Sequence, residues 1–183
     1  ECLYLYREFQ SEALRMLLPM TDLGTQRQLS SFVAALQLGL KEHFRGSVDH
    51  LRTTVYSEPM EGSSLRKQYL VLYDTVPGGT GYLKQLVTPD GDDARMPLYE
   101  VFSAALQRIE SCVCWNDPTR QGCYRCVYAY RNARERSDTS SQTASEILHR
   151  LLHEEERLTE IETLGDISVT ALMDSVLELR FIE

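Results

Sequence analysis

No apolar run in this 183-residue chain approaches the roughly 20 residues that a membrane-spanning helix needs, and no basic, apolar leader with a small-residue cleavage site opens it. Membrane insertion and secretion are therefore not signalled, and the expected setting is intracellular, cytoplasmic in a bacterial-type cell. There is no Gly-Lys-Thr or Gly-Lys-Ser loop and no Asp-Glu-x-His or Asp-Glu-x-Asp box, so the chain lacks the parts with which a nucleotide-driven motor hydrolyses ATP. No Ser/His/Asp or Cys/His catalytic set can be assembled. His43, His50, His149 and His153 are scattered, and the His149/His153 pair has no third ligand near it in sequence. Internal repeats and low-complexity blocks are absent. With 43% hydrophobic and 25% charged residues, the chain fits one compact domain that builds its own core, with an appended helical tail.

An excess of positive charge is also lacking. The formal net charge of −8 argues against a surface that binds nucleic acid all over. Residues 146–183 hold ten acids against three arginines, a net −7, so nearly all of the imbalance sits in that tail. Between Arg120 and Arg136, five arginines meet one acid, Glu135, for a local +4. Trp115, Tyr124, Tyr128 and Tyr130 lie among or beside them, the cation and aromatic mix that tracks a sugar-phosphate backbone and stacks bases. The competing reading is a solvated face with the tyrosines in the core.

Four of the five cysteines fall within fifteen residues, as Cys112-x-Cys114, eight residues, then Cys123-x-x-Cys126. Two short chelating pairs joined by a loop that Pro118 and Gly122 can turn are what a tetrahedral zinc site asks for. An iron–sulfur cluster and disulfides are the other uses of such a group, the latter disfavoured in a reducing compartment. Four sulfur ligands leave no open position to activate water, so the metal would be structural rather than catalytic. Cys2, far away in sequence, reads as a buried or chain-end thiol.

Periodicity gives the elements. Cys2 to Phe9 is strand-like, and Ser11 to Leu18 reads as a brief helical turn ended by Pro19. Thr25 to Phe44 is an amphipathic helix with Asp22 or Thr25 as its cap. Val48–Glu58 and Arg66–Thr75 are β-rich and pair antiparallel. A glycine loop follows, where Gly78, Gly79, Thr80 and Gly81 are candidates for an anion-binding turn at a helix N-terminus, a tight turn with glycines at positive φ being the competing reading. A short helix through Leu83 and Leu86, a Pro/Gly/Asp-rich linker from Thr88 to Pro97 and a helix from Leu98 to Ser111 lead to Cys112. Beyond the cysteines, Asp138 or Thr139 can cap a long helix from Ser141 to Ile161, and after a break at Leu164–Ser168 a last helix begins. The expected fold is α+β: a small antiparallel sheet packed by helices, with a four-cysteine zinc loop and a helical C-terminal tail. Residues 1–137 are expected to form the zinc-binding domain and 138–183 a tail leading into a further domain. A start at Glu1 and a stop inside an uncapped helix suggest a piece of a larger protein.

The stretch Leu72-Tyr73-Asp74-Thr75-Val76-Pro77-Gly78-Gly79-Thr80-Gly81-Tyr82-Leu83 stands ahead of Cys112-x-Cys114, Gly122-Cys123-Tyr124-Arg125-Cys126 and Tyr130-Arg131-Asn132. That combination resembles the MrfA-type zinc-binding domain (MZB) family, which is attached to superfamily 2 helicases, over roughly Glu1 to Leu152 in layout. The resemblance implies that Cys112, Cys114, Cys123 and Cys126 hold one structural zinc. It also implies a parent that is a DEAD/DEAH-type ATP-dependent DNA helicase, or a partner of one, in DNA repair or antiphage defence. ATP and magnesium would then belong to the parent's motor domains. On this reading the fragment is no enzyme, and zinc shapes a loop whose Arg120, Arg125, Arg131 and Arg134 hold single-stranded DNA or a fork. The alternative is an interaction module that docks a partner subunit without touching DNA. Ser175-x-Leu177-Glu178-x-x-Phe181 is similar to the opening helix of some restriction-endonuclease-like nuclease domains, an ordinary amphipathic helix being the competing reading.

Overall fold

Thr25 starts the first helix because it and Gln28 satisfy each other's backbone: the Gln28 amide donates to Thr25 Oγ1 (3.2 Å) and the Thr25 amide to Gln28 Oε1 (3.1 Å). The helix, α1 (Gln26–Phe44), ends where Arg45 turns left-handed at φ 47°. Its middle, from Ser30 to Gly39, is buried at every position but Gln37, so this helix lies inside the molecule rather than on it. The computed structural model describes residues 8–17, 25–46, 48–59, 66–88, 96–117, 119–128, 136–163 and 179–182.

Four strands flank that helix in chain order: β1 (Ala13–Leu17) before it, then β2 (Leu51–Pro59), β3 (Arg66–Asp74) and, far along the chain, β4 (Leu179–Ile182). The sheet order is β2-β3-β1-β4 and every neighbour is antiparallel. β1 and β2 flank β3 and run the same way, with α1 between them in sequence, which is a split β-α-β arrangement. The β2–β3 pair expected from sequence is present, with Leu51 opposite Asp74 and Pro59 opposite Arg66. Two expectations are corrected. The expected helical turn at Ser11–Leu18 is β1 instead: Ala-Leu-Arg-Met-Leu favours helix locally, but pairing on both edges with Leu14 and Met16 alternately buried outweighs propensity over five residues. The expected last helix, with its nuclease-like pattern, ends in β4, where Phe181 pairs with Leu14. The backbone groups of the β1 edge are satisfied by that pairing. The expected strand at Cys2–Phe9 falls almost wholly outside the described residues, as does the 164–178 segment.

One face of the sheet, carrying Leu14, Met16, Leu70 and Leu72, joins a single core with the helices. Three helices follow β3: α2 (Tyr82–Val87), α3 (Pro97–Glu110) and α4 (Ser141–Thr163). α3 and α4 pack on α1 and on each other. Ala144, Ile147, Leu148 and Leu151 form the buried stripe of α4. Its cap is Ser140 rather than Asp138 or Thr139: the Ser140 hydroxyl receives the Thr143 amide (3.4 Å), and the Ser140 amide donates to the buried hydroxyl of Ser31 on α1 (2.9 Å).

α1 and α3 cross at Gly39. A Cβ there would lie 2.2 Å from the Val101 carbonyl oxygen and 2.9 Å from Val101 Cγ1, both inside contact distance. Gly→Ala in an unconstrained helix gains up to about 1 kcal/mol from propensity. At this crossing we expect Gly39→Ala to destabilise by about 1–3 kcal/mol, because backbone must move to admit the methyl. A lower urea midpoint at unchanged m-value checks it.

Candidate metal centre

The last turn of α3 hands the chain to the first cysteine pair: the Cys112 amide still donates to Ile109 O (3.2 Å), and the backbone then folds tightly, Trp115 N to Cys112 O at 2.9 Å and Asp117 N to Cys114 O at 3.3 Å. The second pair forms another turn, in which the Cys126 and Tyr128 amides both donate to Cys123 O (3.1 Å each). Sulfur receives amides as well, Arg125 N to Cys123 Sγ (3.4 Å) and Cys123 N to Cys126 Sγ (3.2 Å). Gly122 enters this turn because a Cβ there would meet Val127 Cγ2 at 2.5 Å. The Ser141 amide at the start of α4 donates to Gln121 O (2.7 Å), so the loop is tied at one end to α3 and near the other to α4.

These turns bring all four sulfurs within 4.8 Å of one another. Cys112–Cys123 is 3.4 Å, Cys114–Cys126 3.5 Å, Cys112–Cys114 3.6 Å and Cys123–Cys126 3.8 Å. A tetrahedron with bonds of about 2.3 Å has edges of about 3.8 Å, so the four sulfurs fit one zinc ion. They are too far apart for a disulfide, which needs about 2.05 Å. Cys112, Cys114 and Cys126 are buried and Cys123 is half-buried. It is the only group of metal-ligating side chains of this kind among the described residues.

Burial pushes the Cys114 thiol far above its usual range, and hydrogen bonds to the neighbouring thiols add to the effect. Burial raises Cys126 to about 11. At Cys123 burial also opposes ionisation, but hydrogen bonds from the Arg125 amide and from the neighbouring thiols outweigh it and bring the thiol down to about 7. A pocket that resists thiolate formation at two of its four sulfurs is built for a cation to neutralise.

The profile of the MrfA Zn-binding domain family matches residues 32–127, from within α1 to the residue after Cys126. The chain belongs to the MrfA Zn-binding domain family. That span is narrower than the layout from Glu1 to Leu152 suggested by the sequence motifs. The family is described by its zinc binding. No curated protein and no solved structure matches the chain.

Other residues singled out from sequence fall as follows. Arg120 and Arg125 are exposed on the cysteine loop; Arg120 pairs with Asp117 at 3.1 Å, and that carboxyl is held below its usual range by the Thr119 hydroxyl and amide. Tyr124 is 67% exposed beside Arg125, whereas Trp115 and Tyr128 are half-buried against the core. Arg131, Arg134, Tyr130 and Cys2 lie outside the described residues. His149 does not join His153 around a metal: its Nε2 lies 2.8 Å from Glu110 Oε1, linking α4 to α3.

The anion-loop candidate is corrected. The amides of Gly78, Gly79, Thr80 and Gly81 donate to Gln10 O, Val76 O, Asp74 Oδ2 and Glu12 Oε2 at 2.8–3.1 Å. A phosphate would find them taken, two of them by carboxylates. Gly78, Gly79 and Gly81 sit at φ 83°, 75° and 82°, so the loop is the tight turn that sequence offered as the competing reading. Its centre is the fully buried Asp74, which also accepts from the Val76 amide (2.8 Å) and the Thr80 hydroxyl (2.5 Å). That motif was visible in sequence, but its use to latch the end of β3 needed the tertiary partners Gln10 and Glu12.

Zinc binding is expected to release protons from at least Cys114 and Cys126, which hold them at neutral pH. Affinity should therefore rise with pH, by about a hundredfold or more per unit between about pH 6 and about pH 8. Competition against a chromophoric chelator reads this slope. Elemental analysis should give about one zinc per chain, lost in Cys114→Ser.

Proposed function

We propose that this chain is the zinc-binding accessory domain of an ATP-dependent DNA helicase, acting in DNA repair or antiphage defence, and that its cysteine loop contacts DNA. The observation that carries the reading is the pairing of a closed four-sulfur centre with exposed cationic and aromatic side chains on the same loop. Cys112, Cys114, Cys123 and Cys126 would hold the metal; bound zinc neutralises the thiolates and crosslinks two turns. The side chains between the ligands are thereby turned outward, among them Tyr124 and Arg125, with Arg120 on the intervening loop.

A rigid loop loses little entropy when it grips a strand, which suits a surface that must hold and release DNA as a motor advances. Arg120 is partly neutralised by Asp117, so Arg125 is the stronger phosphate contact. The family resemblance supports a helicase parent, and ATP hydrolysis would reside in its motor domains.

With zinc bound, Arg125→Ala is expected to weaken binding to a single-stranded oligonucleotide and to reduce the salt slope, log K against log salt, by about 0.7, without loss of metal. Arg120→Ala should cost less. Zinc-loaded protein whose DNA affinity is untouched by both variants would instead fit a module that docks a partner subunit.

A further inference from the structure

β2 stands at one end of the sheet order β2-β3-β1-β4, and among the described residues no strand pairs with its outer edge. Thr54, Val55 and Tyr56 are exposed in succession, Val55 at 45% and Tyr56 at 52%. Successive side chains point to opposite faces of a sheet, so the strand is open on both sides at once, as an edge is. Arg66 of β3 reaches its backbone, Nη2 to Ser57 O at 2.9 Å, and a carbonyl oxygen keeps a second lone pair.

Free edges are ordinarily blunted by a bulge, a proline or a charge in mid-strand. β2 has none of these between Arg52 and Glu58. Its register with β3 runs unbroken from Leu51 opposite Asp74 to Pro59 opposite Arg66, so no bulge bends it. Thr53-Thr54-Val55-Tyr56-Ser57 holds no charge, proline or glycine and is dominated by β-branched and aromatic residues. Pro59, which has no amide hydrogen, ends the run.

The residue order of β2 also complements itself when reversed. Two copies related by a two-fold axis perpendicular to the sheet meet as antiparallel edges, with like faces on the same side. The axis then passes between one residue and its own copy. Centred on Val55, it sets Arg52 opposite Glu58 of the second copy, Thr53 opposite Ser57 and Thr54 opposite Tyr56. Opposite charges meet at both ends, and β-branched side chains meet an aromatic ring beside the axis. Centres one residue away lose the match: about Thr54, Arg52 faces Tyr56, and about Tyr56, Glu58 faces Thr54. Glu58 lies 3.4 Å from Arg15 but keeps 44% of its side chain exposed, so a second guanidinium can reach it.

We propose that two copies of this chain associate edge to edge through β2, forming one continuous antiparallel sheet about an axis at Val55. The occupant is a second copy because the edge complements itself in charge and in residue type. This interaction is separate from the DNA reading and uses neither the zinc loop nor nucleic acid. One pair of strands is a small interface, so association should be concentration-dependent across the micromolar range.

Sedimentation velocity of the zinc-loaded chain from about 1 to about 300 µM should show a monomer passing into a dimer. Val55→Lys places two ammonium groups face to face at the axis and should weaken the dimer about tenfold or more. Arg52→Glu alone and Glu58→Arg alone each oppose like charges and should weaken it about fivefold or more. The double variant Arg52→Glu/Glu58→Arg should return close to the wild-type constant, which a merely structural role of either residue would not produce. Zinc content and far-UV circular dichroism verify the fold of each variant, and if Val55→Lys fails to fold, the charge exchange still decides. A monomer at every concentration would overturn the proposal, and slow hydrogen exchange of the β2 amides in that monomer would assign the edge to another segment of the same chain. A dimer that all these variants leave unchanged would place self-association elsewhere and overturn it. A dimer lost in Val55→Lys but blind to the charge exchanges would overturn the pairing about Val55.

Discussion

Four sulfurs held within 4.8 Å are the constraint on which much of the structure depends. Each is brought there by a tight turn whose amides point at sulfur or at a cysteine carbonyl. Cys112, Cys114, Cys126 and Val127 belong to the main core, continuous with α1, α3 and α4. A metal that joins the two turns would therefore do more than close a surface loop. It would fix the spacing between the end of α3 and the start of α4, where the bonds Ser141 N to Gln121 O and Ser140 N to Ser31 Oγ register α4 against the loop and α1. Structural zinc of this kind contributes its binding free energy to folding, so the helical layer and the loop gain or lose stability together.

The turn after β3 is held by carboxylates. Asp74 closes β3, and its carboxylate collects the Val76 and Thr80 amides and the Thr80 hydroxyl, while Glu12 takes the Gly81 amide. A buried charge is tolerated when its lone pairs are filled in this way. The consequence is that the glycine loop folds back over the start of β1, with Gly78 N bonded to Gln10 O and Asp74 N to Glu12 O. Strand, loop and α2 are thus one unit, and Tyr82 at its exit stacks on Phe44 of α1 with centroids 4.4 Å apart.

What was legible in the sequence was what local chemistry decides. The Thr25 cap, the 3-to-4 spacing of α1, the β-branched and aromatic runs of β2 and β3, and the cysteine spacing all carry their own signal. What was not legible depends on distant partners. β1 is five residues of good helix formers, made a strand by β3 on one edge and β4 on the other. The glycine loop has the composition of an anion cradle, and only Gln10, Glu12 and Asp74 reveal that its amides are already engaged.

Net charge is a poor guide to what a local surface can hold. Of the total of −8, residues 146–183 carry −7, which leaves −1 on the preceding 145 residues. Six of the ten acids in that stretch lie on α4. On the cysteine loop, Asp117 lies 3.1 Å from Arg120, and a pair at that distance outweighs charges beyond the screening length of about 8 Å, so the total for the chain does not set the potential at a loop that carries its own cations.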